Sequence, residues 1–205
     1  MPTILRRAAL AFLMLLPAML PAAPSRADDV KDASGFVQTL VGQALTVLAT
    51  KGMPASEREQ KFAVILTDNF DVPRIARFVL GRYWAGTSDD ERKAFIDAYR
   101  DYIIHSYSAR FGEYGGESVK VTNARPESDS ITVVNSDIVH PNGDPPVKVS
   151  WRVFKAANGY RIVDVDVEGV SMMVTQREEF ATVIQRSGGT VAGLTQVLRQ
   201  KSGAS

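Results

Sequence analysis

Apolar residues recur at helical spacing at both ends of the chain and at alternating spacing in the block between. Residues 32–50 place Phe36, Leu40, Val41, Ala44, Leu45 and Leu48 on one side of a helix, and Gly52 and Pro54 end it. Ser56 and Glu59 have capping-box spacing for a second helix carrying Phe62, Ile65, Leu66 and Phe70. Asp71 then caps a short helix with Ile75, Phe78 and Val79, and Gly81 is its stop. Ser88 and Glu91 open the longest helix, 89–112, where Phe95, Tyr99, Ile103, Tyr107 and Phe111 recur every four residues. Ile96, Tyr102 and Ile104 widen that stripe beyond what one packed side requires, so this helix should meet apolar material on two sides.

After Gly115-Gly116 the period becomes two. Strands are predicted over 118–124, 130–140, 146–155 and 160–168, with Asn158-Gly159 as a two-residue hairpin and Pro141 to Pro146 as a longer turn. Val147, Val149, Trp151 and Val153 share one strand face. Helices return over 171–186 and 190–201. The expected class is α+β: helices over 32–112, a small twisted antiparallel sheet of about four strands over 118–168, then helices over 171–201, with the helices covering one sheet face.

The first 27 residues stand apart. Arg6 and Arg7 precede the apolar run Ala8 to Leu16, Pro17 and Pro21 break it, and Ser25-Arg26-Ala27 is a small-x-small site. This pattern predicts an export signal peptide cleaved after Ala27, leaving 28–205 as a single domain in a Gram-negative periplasm. The run is too short to span a bilayer. The whole chain carries +1; losing Arg6, Arg7 and Arg26, with no acid among the first 27 residues, takes it to −2. No basic stripe suggests nucleic acid. With no cysteine in the chain, thiol nucleophiles, disulfides and Cys-ligated metals are excluded.

Catalytic chemistry is sparse. The two histidines, His105 and His140, are well separated, and there is no HExxH, phosphate loop or nucleophile elbow. No cofactor or metal is expected. Asp164, Asp166 and Glu168 alternate along the last strand; they could gather a cation, but the simpler expectation is a solvated face opposite Val163, Val165 and Val167. The conspicuous feature is apolar: nine aromatics fall between Phe78 and Tyr114. Periodicity leaves open whether they fill a core or wall a cavity. Val170-Ser171-Met172-Met173 is similarly open, since Met suits both.

Several blocks resemble one family. Ile75-Ala76-Arg77-Phe78-Val79-Leu80-Gly81-Arg82-Tyr83-Trp84 is similar to the "VLGxYW" block of the MlaC family, periplasmic phospholipid-binding proteins also known as toluene-tolerance proteins. Ser88-Asp89-Asp90-Glu91-Arg92 with Phe95 and Tyr99 resembles its long helix, and Pro141-Asn142-Gly143-Asp144-Pro145-Pro146-Val147 its "PNGxPPV" hairpin. Glu168-Gly169-Val170-Ser171-Met172 resembles "xEGVSM", and Gly193, Leu194 and Leu198 fit the closing helix. Trp84-Ala85-Gly86-Thr87 departs from some relatives in being smaller and less basic.

The resemblance implies a non-enzymatic lipid carrier with an apolar cavity between sheet and helices. It would shuttle phospholipid between an outer-membrane lipoprotein–porin complex and an inner-membrane transporter with a lipid-domain subunit. Tails are expected among Val149, Trp151 and Val153 of the sheet, Tyr107 and Phe111 of the long helix, and Val170 and Met172. A hopanoid cargo is the alternative. A cone-shaped isomerase is a further one, requiring His105 or Asp164/Asp166 to point into the interior.

Overall fold

The structure is a computed structural model that describes residues 26–108 and 114–203. The signal-peptide expectation falls almost entirely on residues outside this range. Six helices and five strands follow in the order α1 (Arg26–Ala49), α2 (Ala55–Asn69), α3 (Val72–Leu80), α4 (Asp89–Ser108), β1 (Ser118–Pro126), β2 (Ile131–Val139), β3 (Val147–Ala156), β4 (Gly159–Val167), β5 (Val170–Ser171), α5 (Met172–Arg186) and α6 (Val191–Lys201). None of the described helices is long and apolar enough to cross a membrane.

The strands form one antiparallel meander in the order β1-β2-β3-β4-β5. The expected four strands become five. Glu168 and Gly169, at φ +53° and +82°, make a two-residue turn of the left-handed kind that suits a tight hairpin, and Val170–Ser171 pairs back on Asp166 and Val167. The β3–β4 hairpin is displaced by one residue from its prediction. Ala156 pairs with Gly159, so Ala157-Asn158 turn, and Gly159 takes φ +118° just after.

Cross-strand partners share a face, so the register defines one apolar surface: Val119, Val121, Ala124, Val134, Val149, Trp151, Val153, Ile162, Val165 and Val167. α1 lies on one end of it. Ala33, Val37, Leu40 and Val41, one stripe at helical spacing, seal against Val134, Val153 and Ile162. Lys155 on β3 pairs with Asp29 in the first turn of α1.

The remaining helices form a second cluster built on aromatic contacts. Phe95 and Tyr99 of α4 stack at 5.8 Å, and Phe180 of α5 meets both edge-on, at 6.3 and 5.7 Å. Leu194 and Leu198 of α6 complete this core. α6 starts tightly: Thr190 caps the Gly193 N–H, and a Cβ at Gly193 would stand 2.1 Å from the Ser187 carbonyl, so only glycine fits.

The caps at Asp71 and Ser88 form as expected. Asp71 accepts from the Arg74 N–H at 3.1 Å, and the Ser88 and Glu91 side chains exchange bonds with each other's backbone N–H groups. The Ser88 N–H and the Ser88 hydroxyl both donate to the Glu91 carboxyl and, the backbone donor foremost, hold it below its ordinary value. The Ser56/Glu59 box does not form. α2 starts two residues earlier, behind Pro54, with no side-chain cap.

Candidate functional site

A cavity of about 280 Å³ opens between the β3–β4 part of the apolar sheet face and four helices. Its floor is Trp151, Val163, Val165 and Val167. α2 and α3 wall one side with Phe62, Leu66, Phe70, Val72 and Ile75; Tyr99, Ile103 and Tyr107 of α4 and Met172, Met173 and Gln176 of α5 form the rest. Its size sits at the low edge of the roughly 300–1,000 Å³ typical of small-ligand cavities.

The long helix meets apolar groups on two sides, as its broad stripe predicts, because one flank faces the α5–α6 core and the other this cavity. The aromatic question therefore resolves residue by residue. Phe95 is fully buried core, Tyr99 belongs to both core and wall, and Tyr107 is wall. Phe78 lies under the Arg177 guanidinium, and Trp84 under that of Arg92, which also donates to the Trp84 carbonyl at 2.9 Å.

Of the residues expected around the tails, Tyr107, Trp151 and Met172 line the cavity. Val153 does not: it is 1% exposed beneath α1, in the sealed end of the same sheet face. Val149 is 3% exposed and also stands outside the wall. Val170 also lies outside the wall: it is 52% exposed, because the Glu168–Gly169 turn carries it onto the outer strand β5. Phe111 lies outside the described residues. Sequence reasoning missed the α2–α3 wall and β4, although Val163, Val165 and Val167 had been read as a buried face.

The polar groups at the wall are few and engaged. Trp151 donates its indole N–H to the buried Ser136 hydroxyl at 2.9 Å. Tyr99 donates its hydroxyl proton to Gln176 Oε1. Burial pushes the Tyr99 phenol up, with the neighbouring Tyr107, Tyr102 and Asp164 adding to the effect, so it stays protonated.

Asp164 overturns the solvated-face expectation: it is 4% exposed. A register shift between Arg152 and Val153 interrupts the alternation there. Its Oδ2 accepts from Ser171 Oγ at 2.6 Å and from Arg152 Nη1 at 3.0 Å, and its Oδ1 from the Met173 N–H at 3.1 Å. Ser171 Oγ in turn accepts from the Val174 N–H at 3.1 Å. The carboxylate thus fastens the start of α5, which carries Met172, Met173 and Gln176, onto β4. Arg152 is held from its other side by Glu127 at 3.1 Å.

Among the described residues, no acid–base pair lines the cavity. His105 is exposed on α4, and Asp164 has its oxygens occupied by structural donors. No group of three or more His, Asp or Glu side chains among the described residues is placed to hold a metal.

Known proteins resemble this arrangement. The family profile of the MlaC protein matches residues 38–200. The intermembrane phospholipid transport system binding protein MlaC of Haemophilus influenzae is 21% identical over 113 residues, 54% of this chain. The matched stretch is 53% of that relative, so the chain spans about half its length. The solved structure of the phospholipid-binding protein from Ralstonia solanacearum, in complex with a phospholipid, superposes with a TM-score of 0.74 at 25% identity. That match covers 84% of this chain and 97% of the other.

Proposed function

The chain belongs to the MlaC family, and from that premise we propose that it is a periplasmic carrier that holds phospholipid by its acyl chains and moves it between membranes. The observation that supports this most directly is the cavity: an apolar sheet floor and four helices leave a hollow walled by Phe, Tyr, Val, Ile and Met side chains. A two-tailed lipid has on the order of 30 methylenes, each disfavouring water by about 0.8 kcal/mol, so the tails cost roughly 20 kcal/mol or more in solvent. A shuttle must offer an interior nearly as apolar as the bilayer, and loading and unloading are then close to balanced. Direction comes from docking partners: an outer-membrane lipoprotein–porin complex and an inner-membrane transporter with a lipid-domain subunit. With a net charge of −2 once the first 27 residues are removed, the carrier has little electrostatic pull toward anionic membranes.

The cavity is smaller than two full-length chains require, so loading widens it. The wall best placed to move is the start of α5, which is held to β4 through one carboxylate and a two-residue turn.

The test is to purify the exported protein without detergent, extract it and identify lipids by mass spectrometry. Co-purifying phospholipid is the expected result. Hopanoids in its place would replace the cargo, and a ligand-free protein that takes up no lipid from vesicles would overturn the carrier reading.

A further inference from the structure

We propose that Gln176 is a specificity-determining residue that donates a hydrogen bond to an ester carbonyl of the bound lipid, so that the cavity selects acyl-ester lipids over ether-linked or purely hydrocarbon ones. This rests on the carrier reading above. Gln176 follows Met172 and Met173 by one helical turn, which puts all three on the face of α5 that walls the cavity. The hydrogen bond from Tyr99 engages Oε1 and sets the orientation of the amide. Tyr99 has one proton to give, and burial keeps it on the oxygen. The Nε2 end is thereby turned away from Tyr99. Gln176 is half-buried and lines the cavity, so its amide is reachable from it.

Two neighbouring polar groups do not compete for this role. The Trp151 N–H is used on Ser136, and Asp164 only accepts, with its oxygens already bonded to Arg152, Ser171 and Met173. An amide N–H₂ against an apolar cavity is costly until an acceptor arrives. The acceptor must sit on an otherwise apolar ligand, since the surrounding wall is hydrocarbon and aromatic. A carbonyl at the head of an acyl chain meets both demands. An ether oxygen is a far weaker acceptor, and a ring hydrocarbon has none.

The experiment equilibrates the protein with vesicles of equimolar dipalmitoyl and di-O-hexadecyl phosphatidylcholine, re-isolates it and measures the ratio of bound lipids by mass spectrometry. The wild type should be enriched in the diester by about three- to tenfold, the worth of one net hydrogen bond. Gln176→Met, similar in length and apolar, should bring the ratio close to one. Tyr99→Phe, which keeps the ring packing and frees the amide to rotate, should lower the ratio part of the way. A wild-type ratio of one with both lipids bound, or an unchanged enrichment in Gln176→Met, overturns the role of Gln176 and leaves the carrier reading standing. Binding of neither lipid by the wild type overturns the carrier reading itself.

Discussion

One apolar sheet face is treated in two different ways along its length. Under α1, Val134, Val153 and Ile162 are at most 1% exposed, sealed by Ala33, Val37, Leu40 and Val41. A few residues along the same strands, Trp151, Val165 and Val167 floor an open cavity. The strand chemistry is alike in the two places, Val and Ile at alternate positions, so the difference lies in what covers it. α1 presents Ala33 and slim β-branched and leucine side chains, which let it settle against the strands. α4 and α5 pack against each other through the Phe95, Tyr99 and Phe180 rings, and α5 is tied to the sheet at its start, where Asp164 holds it to β4. A hollow therefore persists because the helices above it are better packed with one another than with the floor.

The largest effects should come from placing one charge in each region. Val153→Asp puts an unpaired carboxylate in the sealed end and should leave no folded protein, since that cost rivals the whole stability of a domain. Met172→Asp at the cavity wall should fold with an unchanged far-UV circular dichroism spectrum and lose its co-purifying lipid; if both variants behave alike, the two regions are not distinct. Truncations sharpen the same contrast. Leu40→Ala should lower stability by about 2–5 kcal/mol in urea unfolding. Ile103→Ala, whose side chain already faces empty space, should cost about 1–2 kcal/mol. Next comes the fastening of the movable wall. Ser171→Ala removes the α5 cap and one bond to Asp164 and should cost about 1 kcal/mol. It should also speed lipid exchange with vesicles, followed by fluorescence of a labelled lipid; an unchanged exchange rate would argue against α5 as the moving element. The smallest effect is on the outer side of α2. The Lys61–Glu57 pair is 47% and 51% exposed, so Lys61→Ala should shift stability by less than about 0.5 kcal/mol.

Much of the fold was legible before any coordinates. The Ser88/Glu91 box, the Asp71 cap and the period-two block each follow from local chemistry, because a cap or an alternating strand is specified by residues within a few positions of each other. The misplaced details are also local in cause. Gly159 suits a turn but sits just beyond it, and the Ser56/Glu59 spacing yields to a start at Pro54. The site was legible only in part. Strand parity put Val149, Trp151 and Val153 on one face correctly, yet could not say that Trp151 floors a hollow while Val153 is sealed. Nor could it expose Val170 or bury Asp164, since both depend on how β5 and the start of α5 fold back over β4.

The sequence by itself determined the class of interior this protein builds: no thiol, and an aromatic stripe too broad for one packed side. Tertiary structure alone decided where that interior is filled and where it stays open. Periodicity reports which side chains avoid water, and burial against a neighbouring helix and burial against an empty cavity satisfy that demand equally. The choice between them is made by the distance at which two packed layers come to rest.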